Sequence, residues 1–193
     1  MNTEIDLPGF ADPVVGAQAS FRAVLEAMAR PGSLHRAGDG LTPPAPLDPA
    51  TAAVLLTLID AETAVWLDPA AEAARGWLAF HCGVEFAAAP ERAEFALALG
   101  LPPLATLNPG THEGPETSAT LILQVAALDQ GAAYRLSGPG LRVPATLRVQ
   151  GLGDGFLGWW RENAAIYPRG IDLMLCAGTM LAALPRSVRI EEG

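Results

Sequence analysis

Arginine is the only strong cation in this chain: all 12 basic residues are arginine and lysine is absent. Arg22, Arg135, Arg142, Arg169 and Arg186 stand near the ends of expected elements. There a planar guanidinium fork is placed to grip a phosphate or a carboxylate. Asp172 stands alone at the mouth of an apolar run that closes on Pro185-Arg186, two residues after Gly170. A charge at the edge of a buried strand must find a partner or face water. Asp172 is therefore expected to accept backbone N–H groups at a turn. Taken one at a time, each arginine reads first as a surface ion pair. Arg22, Arg135, Arg169, Asp172 and Arg186 form the candidate set for anion or partner contacts. Without lysine, no side-chain amine of these 193 residues can form a Schiff base with pyridoxal phosphate or a carbonyl substrate.

Other motifs carry less chemistry. Gly153-Asp154-Gly155-Phe156-Leu157-Gly158 has the G-x-G-x-x-G spacing and lies between an expected strand and a helix. Against a dinucleotide fingerprint stand the extension of the glycine run to Gly151 and the place of the next acid. Asp172 begins the following strand, whereas a ribose-binding acid belongs near that strand's end. His35, His81 and His112 are widely separated with no HxxxH or HExxH spacing, so no metal site is expected. His112-Glu113 falls in a loop, where a solvated pair is the plain reading and a ligand contact the sharper one. The serines include no G-x-S-x-G elbow. Cys82 and Cys176 are expected to be buried free thiols. No nucleophile–base pair emerges, so no catalytic residue and no cofactor is assigned.

These residues need a packed scaffold, and the composition supplies one. Half of the chain is hydrophobic and 17% charged, which is a folding composition. A length of 193 residues suits one domain, expected to span residues 1–193. The formal charge of −9 excludes a general nucleic-acid binder. Residues 1–6 lack the basic start and apolar stretch of a signal peptide, and no apolar run reaches membrane-spanning length. A cytoplasmic protein without a membrane role is expected.

Three Asp-Pro pairs offer an N-cap acceptor followed by a proline at the first helical position. Asp12-Pro13 opens a helix with Phe21, Val24, Leu25 and Met28 at i, i+3, i+4, i+7, an Arg22–Glu26 pair on its flank, and a stop at Pro31-Gly32. Asp48-Pro49 opens a helix over 50–59 that is apolar all round, hence buried. Asp68-Pro69 opens a third toward Phe80. Residues 64–67 and 95–99 read as short strands, and 101–115 as a proline- and glycine-rich loop. A hairpin is expected from 119–128 through Asp129-Gln130-Gly131 to 132–137. A strand over 147–150, a helix over 156–167 and a second hairpin of 171–176 with 180–184 complete the chain. Trp77, Trp159 and Trp160 suit a core or a subunit interface.

Several blocks, in order and over nearly the whole length, resemble the PhnH family, a component of the bacterial carbon–phosphorus lyase system for phosphonate breakdown. They begin with Phe21-Arg22-x-x-Leu25-x-Ala27-Met28-x-x-Pro31-Gly32 and Leu55-Leu56-Thr57-Leu58-x-Asp60-x-x-Thr63-x-Val65-Trp66-Leu67. Phe80-His81, Pro90-Glu91 and Ala119-Thr120-Leu121-Ile122-Leu123-Gln124-Val125 follow. Arg135-Leu136-x-Gly138-x-Gly140, Trp160-x-x-Asn163, Pro168-x-Gly170-Ile171-Asp172 and Leu184-Pro185-Arg186 complete the set. The resemblance implies an α/β, three-layer, mixed-sheet domain similar to a reduced pyridoxal-phosphate transferase fold without the cofactor. It implies a homodimer that assembles with subunits G, I and J of that system. It implies support for coupling an alkylphosphonate to the ribose C1 of ATP, with adenine displaced, to give a ribose 1-phosphonate 5-triphosphate. A radical iron–sulfur partner breaks the carbon–phosphorus bond later. The resemblance implies no catalytic residue in this component, so a non-catalytic supporting role is expected, with at most a weak phosphonate or nucleotide contact. Two other readings stand beside it: a stand-alone small-molecule enzyme with a closed pocket, and a dinucleotide binder built on the Gly153 loop.

Overall fold

The structure is a computed structural model and describes residues 7–193. The expectation for residues 1–6 lies outside the described residues. Four α-helices are present among them: α1 (Pro13–Ala29), α2 (Pro49–Leu58), α3 (Arg75–Cys82) and α4 (Phe156–Ala165). The strands are β1 (His35–Arg36), β2 (Val65–Leu67), β3 (Phe95–Ala98), β4 (Thr120–Gln124), β5 (Ala127–Ser137), β6 (Ala145–Gln150), β7 (Asp172–Ala177), β8 (Met180–Leu184) and β9 (Arg189–Glu192). A mixed six-stranded sheet runs β1-β8-β7-β4-β3-β2, and a three-stranded antiparallel sheet runs β6-β5-β9. Strands β2, β3, β4 and β7 are parallel, while β8 and β1 close one edge antiparallel.

Near-continuous apolar strands such as Leu121-Ile122-Leu123 and Leu173-Met174-Leu175 are what a sheet covered on both faces requires. Ile122 and Met174 face the core under α1, α2 and α3. Leu121, Leu123, Leu173 and Leu175 face the other core, shared with the small sheet and α4. Among the described residues no helix is long and apolar enough to cross a membrane.

The proline-led helix starts form, with different caps. Asp12 accepts from the backbone N–H groups of Val14 and Val15, both at 3.0 Å, a cap worth about 1 kcal/mol. Asp68 accepts from Ala70 N at 2.9 Å and from Leu99 N at 3.1 Å, which ties its turn to the end of β3. Its helix begins as a 3-10 turn, Pro69–Ala74, before α3. Asp48 does not cap α2, because its carboxylate instead takes Gly178 N on the β7–β8 turn at 2.8 Å.

Three further expectations are corrected. The buried side of α1 is Ser20, Ala23, Val24 and Ala27, while Phe21 and Leu25 are 45% and 51% exposed. Small side chains let α1 approach α2 and β8 closely, which turns the larger residues outward. Glu26 pairs with Arg30 at 2.5 Å, one turn on, and not with Arg22. The hairpin about Asp129-Gln130-Gly131 does not form. Residues 120–124 pair in parallel with β3 and β7, and 127–137 form one strand paired with β6 on one side and β9 on the other. Asp129-Gln130-Gly131 is a bulge between Leu128 and Ala132, with φ of 66° at Asp129 and 79° at Gly131. The second hairpin forms as expected, with Gly178 at φ 55° in a two-residue turn.

Candidate functional site

The polar residues of the chain's last quarter meet where α4 hands over to β7. Apolar Phe156, Trp159 and Trp160 seat α4 in the core, with Trp160 Nε1 donating to the Val188 carbonyl at 2.9 Å. One turn on, Asn163 is fully buried and faces the incoming strand. Its Nδ2 donates to the Ile171 carbonyl at 2.9 Å, and its Oδ1 accepts from Ile171 N at 2.7 Å. Asn163 thus supplies both hydrogen bonds that a neighbouring strand would give. The approach demands glycine at 170: its φ is 124°, and a Cβ there would lie 2.8 Å from Asn163 Oδ1.

Asp172 opens β7 beside this turn. Its Oδ1 accepts from the backbone N–H of Arg186 at 2.7 Å, and its Oδ2 lies 3.8 Å from Arg186 Nη2. The expected backbone acceptance is real, but the donor comes from the end of the adjacent strand β8. Arg186 Nη1 donates to the carbonyls of Pro115 at 2.9 Å and Gly170 at 2.8 Å, and to the Ser118 hydroxyl. One guanidinium therefore locks the 115–118 loop, the Gly170 turn and Asp172 together. All three bonds leave Nη1 while Nη2 faces Asp172, so the two arms of one planar guanidinium serve both sides of the junction at once. Both side chains are largely covered, at 18% and 20% exposure. A cleft of 370 Å³ opens beside this lock, where Tyr167, Ser187 and Arg189 join Arg186.

The other candidates lie apart. Arg22 is exposed on α1 and makes no ion pair among the described residues. Arg135 faces Glu191 across β5 and β9 at 4.0 Å, an exposed pair of small energetic weight. Arg169 follows Pro168 at the turn, and its buried Nε has no hydrogen-bond partner among the described residues. His112-Glu113 is exposed in its loop. The Gly153 loop does join a strand to α4, but that strand is the antiparallel β6 of the small sheet. The parallel strand–helix–strand unit of a dinucleotide site is not formed there.

A second polar cluster sits at the C-terminal ends of β4 and β7. Gln124 Oε1 accepts from Asp48 N at 2.7 Å and Thr51 Oγ1 at 2.8 Å, while its Nε2 donates to the Pro46 carbonyl at 2.8 Å. Cys176 lies in the same region; burial pushes its thiol up to about 12, Thr51 opposes and the charge of Asp48 adds. Burial alone pushes Cys82 up to about 11. Both are neutral thiols near pH 7 and poor nucleophiles.

The bacterial phosphonate metabolism protein family (PhnH) matches residues 8–191. The chain belongs to the PhnH family. It is 41% identical over 187 residues to the alpha-D-ribose 1-methylphosphonate 5-triphosphate synthase subunit PhnH of Rhizobium meliloti (strain 1021), covering 94% of each chain. It is 35% identical over 178 residues to the putative C-P lyase subunit protein HtxG of Stutzerimonas stutzeri, covering 90% of this chain and 85% of that one. PhnH blocks that lie apart in the sequence converge in space. Trp160-x-x-Asn163, Pro168-x-Gly170-Ile171-Asp172 and Leu184-Pro185-Arg186 build a single interlock.

Reading residue chemistry alone missed Asn163, Ser118 and the Asp48–Gln124 pair as organising groups. A lone amide inside an apolar block was the available signal at both Gln124 and Asn163. Their partners are 8 to 78 positions away, and no local pattern reveals them.

Proposed function

We propose that this PhnH-family chain is a non-catalytic supporting subunit of a carbon–phosphorus lyase core complex. In it, an alkylphosphonate is coupled to the ribose C1 of ATP with displacement of adenine. The observation that carries this reading is the near full-length match, 94% of both chains, to a protein named as a subunit of the ribose 1-methylphosphonate 5-triphosphate synthase. The geometry agrees with it. The arginine best placed for an anion, Arg186, is spent on Asp172 and on three acceptors of its own chain. Two thiols are neutral through burial.

In this reading the chain is a single cytoplasmic domain that pairs with itself and joins subunits G, I and J. It contributes to a transferase reaction without an active site of its own. Its fold is taken as a reduced pyridoxal-phosphate transferase architecture that works without the cofactor, in keeping with the absence of lysine. The outward face of α1 supplies subunit contact: Val14 is 78% exposed there, beside Phe21 and Leu25. Apolar side chains left in water on one helix face are the signature of a protein contact.

The test is purification of the tagged chain from phosphate-starved cells, followed by an assay of methylphosphonate and ATP. The reading requires co-purifying partners, a twofold mass for the isolated chain by sedimentation, and no turnover by that chain alone. Turnover by the isolated chain would establish the stand-alone enzyme instead.

A further inference from the structure

The 370 Å³ cleft beside the α4–β7 turn is lined by Tyr167, Arg186, Ser187 and Arg189, with Ala164 and the buried Val188 as its apolar part. We propose that this cleft docks an acidic segment of a partner protein, a carboxylate seated at Arg189 with an aliphatic side chain beside it. The proposal names the chemistry of a partner and rests on the supporting-subunit reading. No aspartate or glutamate lines the cleft, on a chain whose formal charge is −9. Arg189 is exposed and makes no ion pair among the described residues. Its neighbour Arg186 is spent on Asp172 and the loop carbonyls, so Arg189 is the charge open to a newcomer.

Arg169 supplies an independent observation. It stands two residues beyond Tyr167 in the same turn, next to the Gly170 carbonyl that Arg186 holds. Its Nε is the one buried side-chain nitrogen or oxygen without a hydrogen-bond partner among the described residues. A buried donor left in that state costs about 1–3 kcal/mol. The chain leaves that cost standing at the turn, and an oxygen brought by a partner removes it.

Tyr167 decides between a protein and a small anion. It is 63% exposed. Tyrosine and arginine together are what protein interfaces concentrate at their energetic centres. A protein segment covers the ring, whereas a lone phosphate would leave it in water. The cleft also adjoins α1, whose outward face carries the proposed subunit contact. Pro139 lines the cleft, and a Cβ on the next residue, Gly140, would lie 2.5 Å from the Ala29 carbonyl oxygen at the end of that helix. The rival reading gives Arg189 only the carbonyl end of α4 to complement. Those carbonyls are already taken: Asn163 O accepts from Ile166 N at 3.4 Å and Ala164 O from Tyr167 N at 3.3 Å.

The test titrates the isotope-labelled full chain with a short capped peptide of alternating leucine and glutamate, following the backbone amides of Tyr167, Ser187 and Arg189 by NMR. Saturable shifts are expected, and none for the same peptide with glutamine in place of glutamate. Arg189→Gln should lower the affinity roughly tenfold, the loss of one charge-assisted contact. Tyr167→Ser should lower it several-fold, and both variants should melt with the parent because both positions are exposed. Arg169→Met should hold or raise the Tm of the isolated chain, since it removes the unsatisfied donor, and should still weaken the peptide. No saturable shift, an equal response to the glutamine peptide, or unchanged affinity in Arg189→Gln overturns the proposal. So does a lowered Tm with unchanged affinity in Arg169→Met, or tighter saturation of the same amides by inorganic phosphate. In a second arm, tagged Arg189→Glu is purified from phosphate-starved cells beside the parent. The parent should retain its subunits and the variant should lose them. A parent that brings down no subunit defeats the supporting-subunit reading. A variant that retains every subunit of the parent defeats the cleft proposal alone.

Discussion

Replacing Asn163 by alanine should unlock the turn between α4 and β7 at a cost that can be worked from the contacts. The side chain is fully buried and makes two hydrogen bonds, 2.9 Å to the Ile171 carbonyl and 2.7 Å from its N–H. Alanine leaves both backbone groups buried without partners, at about 1–3 kcal/mol each. It also leaves a small void that the tightly placed Gly170 cannot fill. The two penalties together come to about 2–6 kcal/mol, a large part of the stability of a domain this size. A chain of this length should lose roughly 10 °C in Tm. The assay is urea unfolding followed by tryptophan fluorescence, with the midpoint falling and the slope unchanged. The comparison is Asp172→Asn, whose amide oxygen still accepts from Arg186 N and which loses only the 3.8 Å ion pair. That change should cost about 1 kcal/mol. A loss below about 1 kcal/mol for Asn163→Ala, or a larger loss for Asp172→Asn, would refute the argument. The charge pair, not the amide bridge, would then hold the segment.

Three further outcomes follow from the same geometry. Arg186→Lys should destabilise by about 1–2 kcal/mol, because one ammonium nitrogen cannot stand both among the Pro115, Gly170 and Ser118 acceptors held by Nη1 and at the Nη2 position facing Asp172, and hydrogen exchange should quicken over residues 115–118. Cys176, raised by burial to about 12, contributes stability that is fully present below its unfolded value near 9. That contribution is lost as pH rises from about 9 to 12, since the unfolded chain binds fewer protons there; Cys176→Ala should flatten this part of the stability–pH curve. Phe21→Ser with Leu25→Ser should leave the Tm of the isolated chain within a few degrees, because both side chains are half exposed, but abolish co-purification of partner subunits. An intact complex would remove α1 from the contact surface.

Local rules carried the elements, and long-range pairing lay beyond them. Asp12-Pro13, Asp48-Pro49 and Asp68-Pro69 each mark a helical start, since proline fixes φ at the first helical position whatever follows. The run after Ile171 folds as the expected hairpin because Gly178 allows the tight turn. The hairpin about Asp129-Gln130-Gly131 misleads for a related reason. A residue triplet rich in turn formers makes a bulge as readily as a turn, and only the partner strand decides. Strand β4 is too apolar to serve in a half-exposed hairpin; covered on both faces, it goes to the centre of the parallel sheet. On α1, periodicity identified a helix but picked the larger apolar residues as its inner face. Close packing on α2 and β8 selected Ala23 and Ala27 instead.

The candidate arginines diverge in a way that bears on function. Arg186 was singled out for anions and is used as internal scaffolding, each of its contacts holding a separate loop. Arg135 is matched by Glu191 across the small sheet. Arg22 stays exposed beside the apolar face of α1 and makes no ion pair among the described residues. A pocket for a phosphonate or a triphosphate needs several uncommitted cations converging on one cleft. The 370 Å³ cleft has one exposed arginine, Arg189, beside the committed Arg186, and a 560 Å³ cleft between β5 and the loop before α4 is lined by Asp154 and Glu192 instead. Arg186 and Asp172 thus hold the molecule's own loops together, while the apolar side chains of α1 are left outward.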